Sequence, residues 1–130
     1  MMDKPKTTAQ RALDISSKAA QVGFDWKIPE DVLDKLEEEL AEIRQALAEG
    51  ASLQHIEEEV GDLYFALVNF NRKMQIDSDK AFLAGVKKFE RRFHDLETKV
   101  HNSGKNMQDL SPDELEDVWR IVKLGENNGG

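Results

Sequence analysis

The sequence predicts an all-α protein, an antiparallel helical bundle of about four to five helices. No stretch sustains the period-2 alternation of a half-buried strand, and β-branched residues rarely cluster. Apolar residues recur instead at intervals of three and four, the spacing of one face of a helix. The turn signals Gly23, Gly50, Gly104 and Ser111-Pro112 fall between these periodic stretches, not inside them.

The first helix is expected from about Thr8 to Val22, with Ala12, Leu13, Ile15, Ala19 and Ala20 giving it a moderate apolar face. Gly23-Phe24-Asp25-Trp26 then makes a loop carrying two aromatics. A second helix opens at Pro29, whose fixed φ and missing N–H suit the first helical position, and Glu30 and Asp31 complement the macrodipole. Its stripe is Leu33, Leu36, Leu40, Ile43 and Leu47, and Gly50 ends it as a left-handed cap. Ser52 caps the third helix, which presents Leu53, Ile56, Val60, Leu63, Leu67 and Phe70. Asp77 or Ser78 caps the fourth, with Phe82, Val86, Phe89, Phe93, Leu96 and Val100 at heptad-like spacing before Gly104 breaks it. Ser111-Pro112-Asp113-Glu114 is a capping box that opens a short last helix burying Leu115, Trp119 and Val122. One domain is expected over 8–124, between a disordered N-terminus at 1–7 and a flexible tail at 125–130. Four stripes of near-heptad period on a small acidic chain further predict coiled-coil association, and hence a dimer.

Composition narrows the function. Lys+Arg 18 against Asp+Glu 26 gives a net charge of −8, which argues against a nucleic-acid partner. The absence of cysteine excludes disulfides, thiolate metal sites and a cysteine nucleophile. No apolar run approaches membrane-spanning length, and Met1-Met2-Asp3-Lys4-Pro5-Lys6 lacks the apolar block of a secretory signal. A cytoplasmic protein with no membrane partner is expected.

An internal echo carries the chemistry. Lys35-Leu36-Glu37-Glu38-Glu39-Leu40-Ala41-Glu42-Ile43 matches His55-Ile56-Glu57-Glu58-Glu59-Val60-Gly61-Asp62-Leu63 in character at nearly every position. Glu39 and Glu59 lie roughly 70° from the centres of their stripes, and Glu42 and Asp62 roughly 130°. The shared turn at Gly50-Ala51 makes the two helices antiparallel, so both acidic pairs face one side. Each pair sits about ten residues from the bend, roughly 15 Å along its helix. Four carboxylates at one level repel one another without a counter-charge, and hard oxygen ligands of this kind suit Mg²⁺, with Mn²⁺ as a substitute. Gly61 is expected to keep bulk low between the acids, and Glu38 is the best neighbouring acid for a supporting role. A di-iron centre wants Glu-x-x-His on two helices; the residues three before His55, His94 and His101 are Ser52, Arg91 and Thr98, so its ligands are missing.

On the fourth helix Lys88 and Arg92 lie on one flank of the phenylalanine stripe, while Lys87 and Arg91 point more nearly toward water. A divalent metal beside a Lys/Arg pair is a physical answer to a polyphosphate. Asn69, one heptad beyond Asp62, has an amide able to read a sugar or base.

These residues resemble the MazG family of all-α nucleoside triphosphate pyrophosphohydrolases. The resemblance rests on Glu38-Glu39-Leu40-Ala41-Glu42 as EExxE, Glu59-Val60-Gly61-Asp62 as ExxD, Val22-Gly23-Phe24-Asp25-Trp26, Lys88-Phe89-Glu90-Arg91-Arg92-Phe93 and Glu116-Asp117-Val118-Trp119. It covers roughly residues 10 to 124 and is closest to the C-terminal domain of two-domain members; whether the chain is free-standing or part of a longer protein stays open. The resemblance implies an enzyme that hydrolyses a (deoxy)nucleoside triphosphate to the monophosphate and pyrophosphate. It implies Mg²⁺ on Glu39, Glu42, Glu59 and Asp62, with Glu38 assisting, and Glu38 or Glu42 as the group that takes a proton. Lys88 and Arg92 would bind phosphates, Trp26 and Asn69 would lie near the nucleoside, and the assembly would be a homodimer or dimer of dimers. Two rivals accompany this expectation: a narrower enzyme acting on dUTP or phosphoribosyl-ATP, and a non-catalytic acidic helical adaptor.

Overall fold

The computed structural model describes residues 4–129. In chain order the elements are α1 (Thr8–Gln21), α2 (Pro29–Ala48), α3 (Leu53–Met74), α4 (Ser78–Asn102), a 3₁₀ turn at Met107–Asp109 and α5 (Pro112–Gly129). Five α-helices and no strand among the described residues make the protein all-α, as the periodicity predicts.

The helix ends follow from local chemistry. Thr7 closes a capping box with Gln10 at the start of α1. Ser52 Oγ accepts the His55 N–H at 3.2 Å. Asp77 Oδ1 accepts the Lys80 N–H at 3.0 Å, so Asp77 and not Ser78 caps α4. Ser111 Oγ accepts from the Glu114 N–H at 3.2 Å while Glu114 Oε1 accepts from the Ser111 N–H at 3.1 Å, the reciprocal pair expected of Ser-Pro-Asp-Glu. Gly50 takes φ +68°, the left-handed conformation that ends α2. At the end of α3 the same conformation falls on Gln75, φ 60°.

Contacts divide the chain between Ala81 and Phe82 into two compact units, a boundary that falls inside the 8–124 range expected to be one domain. In the first, α2 and α3 form a hairpin about the Gly50 turn, and α1 packs against α3. In the second, Leu96, Val100 and Val122 are buried, and the Phe89 ring lies 5.3 Å from that of Trp119. α5 keeps helical backbone through Gly129, across most of the stretch expected to be a tail; Glu126 pairs there with Arg91 at 3.0 Å and Arg92 at 2.5 Å. Residues 1–3 and Gly130, where parts of the expected disordered ends fall, lie outside the described residues.

The buried face of α2 differs from the expected stripe by about one residue. Val32, Glu39 and Ala46 are buried along a single heptad line, flanked by half-buried Leu36, Glu42 and Ile43. Leu33, Leu40 and Leu47, expected inside, are 43%, 49% and 63% exposed. On α3, Ile56, Val60, Leu63 and Phe70 are half-buried as expected, but Leu53 and Leu67 are exposed and Ala66 and Asn69 take the deepest positions. The cause is packing: close approach of α2 to α3 favours small side chains at the contact, and larger apolar residues are displaced to its edges. Phe82, Val86, Phe89 and Phe93 of α4 are likewise exposed.

Candidate functional site

The rotation of α2 carries Glu39 into the hairpin, where it is 4% exposed. Glu42, one turn further on, and Glu59 of α3 are half-buried beside it. One carboxylate oxygen from each of the three lies within 4.8 Å of the others. In each helix the acid nearer the apolar stripe is the more deeply set, Glu39 within Glu42 and Glu59 within Asp62, as the angular offsets predict. Asp62 is exposed and stands outside the trio.

The polar partners of the trio are few. Lys35 Nζ lies 3.1 Å from Glu39 Oε1 and 3.5 Å from Glu38 Oε1, and the Glu39 carboxylate holds the Lys35 ammonium above its usual pKa of 10.5. His55 Nε2 lies 3.5 Å from Glu59 Oε1. The other oxygens, Glu39 Oε2 and Glu59 Oε2, are buried and accept no hydrogen bond. Glu42 is pushed above the usual carboxylate range, first by sharing a hydrogen bond with Glu59 and then by desolvation. A buried carboxylate oxygen without a donor is costly, and a cation would relieve two of them in one acidic cluster. Hard oxygen donors one helical turn apart on α2, faced by a third from α3, fit a small divalent ion.

Gly61 has a different reason from the one expected. A Cβ built there would meet nothing within 4 Å, so the glycine relieves no crowding between the acids. It lies on the outer face of α3, away from the contact.

The same unit holds a pocket of about 470 Å³ between α1, the α1–α2 loop and α3, with Ile15, Phe24, Trp26, Phe65 and Asn69 in its wall. Trp26 is half-buried and Asn69 is 1% exposed, so two residues expected near a nucleoside line one cavity. Behind them is a network that the sequence analysis did not include. Asp25 bridges to Arg72 and Lys73, and the Arg72 guanidinium, helped by Lys73 and the Trp26 N–H, draws the Asp25 carboxyl down to about 2. A signal existed in Asn69-x-x-Arg72, one helical turn apart, but its partner Asp25 is 47 residues away and no local pattern joins them.

Lys88 and Arg92 lie in the second unit. Lys88 is exposed; Arg92 is half-buried with Nε 2.5 Å from Glu126 Oε2. Arg91, expected to point more nearly toward water, is exposed and shares the same carboxylate, and the two arginines, Arg92 first, hold the Glu126 carboxyl below its usual value. Glu38 is exposed apart from its contact with Lys35.

Residues 28–96 match the MazG nucleotide pyrophosphohydrolase domain, a span of more than half the chain. A Thermotoga maritima protein named nucleoside triphosphate pyrophosphohydrolase/pyrophosphatase MazG is 38% identical over 112 residues, 86% of this chain and 42% of its own length. An Escherichia coli K12 protein named nucleoside triphosphate pyrophosphohydrolase is 40% identical over 120 residues, 89% of this chain and 44% of its own. The chain thus spans less than half the length of these curated relatives.

Proposed function

The chain belongs to the MazG nucleotide pyrophosphohydrolase family, and on that footing we propose that it hydrolyses (deoxy)nucleoside triphosphates to the monophosphate and pyrophosphate, using Mg²⁺. The observation that carries the proposal is the trio of buried Glu39 with half-buried Glu42 and Glu59, with two carboxylate oxygens that no protein donor satisfies. Glu39, Glu42 and Glu59 would hold the metal, joined by Asp62 from the exposed flank, and Mn²⁺ has the same ligand preference. A divalent ion bound there supplies positive charge to the phosphate oxygens.

The chain's own groups divide the remaining work. Lys88 and Arg92 are the proposed phosphate-binding pair. Trp26 and Asn69 receive the nucleoside in the aromatic pocket. Water attacks a phosphorus in line, a new P–O bond forms as the P–O–P bond breaks, and pyrophosphate leaves. Glu42 takes the proton from that water, with Glu38 as the alternative. A cytoplasmic location is consistent with the absence, among the described residues, of any helix long and apolar enough to cross a membrane.

The test is incubation of the full chain with Mg²⁺ and a panel of ribo- and deoxyribonucleoside triphosphates that includes dUTP, with phosphoribosyl-ATP alongside. Monophosphate and pyrophosphate are the expected products. Release of orthophosphate instead, or cleavage of dUTP or phosphoribosyl-ATP alone, would replace this reading with a different hydrolase. No turnover and no Mg²⁺-dependent thermal shift would leave only the adaptor.

A further inference from the structure

Three charged side chains meet at the pocket, with Asp25 in its wall and Arg72 and Lys73 paired to it. Arg72, Lys73 and Asp25 have side chains only 14%, 17% and 18% exposed. Two cations converge on one carboxylate, which charge balance does not call for, and buried ion pairs of this kind add little stability over apolar packing. Their geometry suggests another purpose. Asp25 Oδ1 accepts from Arg72 Nη2 at 2.5 Å and from the Trp26 N–H at 2.9 Å, and Asp25 Oδ2 accepts from Arg72 Nη1 and Lys73 Nζ, each at 3.2 Å. Lys73 Nζ also donates to the Trp26 carbonyl at 2.7 Å. Both backbone polar groups of Trp26 are therefore tied to the cluster.

Arg72 reaches one residue further. Its Nη2 donates to Asn69 Oδ1 at 3.1 Å, while Asn69 Nδ2 donates to the Phe65 carbonyl at 3.0 Å. A guanidinium has only donors and a carbonyl only accepts, so the amide has one permitted orientation. Turning it over would set NH₂ against the guanidinium and oxygen against oxygen. One Nδ2 hydrogen and one Oδ1 lone pair remain, and their order along the amide edge is fixed.

We propose that Arg72 is a positioning residue for nucleoside recognition: by joining Asp25 to Asn69 it locks the Asn69 amide at the pocket wall. The inference rests on the reading of this pocket as the nucleoside site. Arg72 itself touches no substrate; it acts through Asn69, and a single ammonium cannot span Asp25 and Asn69 as the forked guanidinium does.

Steady-state kinetics of the full chain with Mg²⁺ and its best triphosphate test this, using Arg72→Lys, Asn69→Ala and the double variant. Arg72→Lys keeps the charge beside Asp25, and is expected to raise KM about tenfold with kcat within about twofold of wild type. Asn69→Ala should do the same, and the double variant should be no worse than Asn69→Ala, within about twofold, because one residue works through the other. The Mg²⁺-dependent thermal shift should be unchanged in all three. Effects on KM that multiply to about a hundredfold in the double variant would overturn the proposal. So would an Arg72→Lys protein whose KM is unchanged while its melting temperature falls, which is the signature of a purely structural role. If Arg72→Lys does not fold, Arg72→Gln in the same cycle with Asn69→Ala gives the same reading, since its single amide cannot span Asp25 and Asn69 as the guanidinium does. Wild-type chain that turns over no triphosphate removes the functional reading and this inference together; wild-type turnover with multiplicative effects removes only the role of Arg72.

Discussion

Asp25 links stability to pH through its own carboxyl. Its folded-state pKa of about 2, against the ordinary 3.8, means that the unfolded chain binds the proton more readily. A depressed carboxylate stabilises the fold fully above the unfolded value, and the contribution disappears as pH falls from about 4 through about 2; the shift corresponds to about 2 kcal/mol. Asp25→Asn should thus lower the unfolding free energy at neutral pH, with the gap to wild type closing in acid. Urea melts across that range check this, and a gap independent of pH would place its origin elsewhere. Glu39 makes the complementary case. It is the buried member of the trio and carries an oxygen without a donor, so Glu39→Gln should abolish the Mg²⁺-dependent thermal shift while the metal-free protein still folds. A variant that keeps the full shift would exclude Glu39 as a ligand. Sequence spacing pointed to these acids because i, i+3 placement is local. It did not single out Asp25, because the role of that residue is set by Arg72 and Lys73 on a distant helix.

At the level of elements, α3 carries Glu59 and Asn69 on one rigid rod, so its start fixes the register of both. Ser52→Ala removes the hydrogen bond from the His55 N–H and should cost about 1 kcal/mol, seen as a lower midpoint in denaturant with an unchanged slope. A change of less than a few tenths of a kcal/mol would mean that water replaces the cap without loss. Such ends were legible beforehand: Ser52, Pro29, Gly50 and the Ser111 box act through bonds to residues at most a few positions away. The depth of each side chain was not. Leu33, Leu40 and Leu47 outnumber Val32 and Ala46 in apolar surface, and a hydrophobic pattern alone ranks them first. Helix contact inverts the ranking, because small residues permit the approach that buries Glu39.

For the molecule as a whole, Leu33, Leu40 and Leu47 form an exposed apolar line along α2, on which the proposal of a homodimer rests. Homodimerisation through α2 is the expected outcome. Leu40→Glu should convert the wild-type dimer to a monomer by light scattering, and a wild-type monomer at micromolar concentration would rule the assembly out. The sequence by itself determined the starts of α2, α3 and α5, the all-α class and the two acidic turns on neighbouring helices, because each depends on residues a turn or two apart. It also carried the family in its ordered motifs. Tertiary structure alone decided that Glu39, Glu42 and Glu59 converge with Asp62 outside them, that Arg92 pairs with Glu126, and that Asp25 clamps Arg72 behind Trp26 and Asn69. Those outcomes depend on how far one helix rotates against another and on contacts between distant segments, and packing sets both.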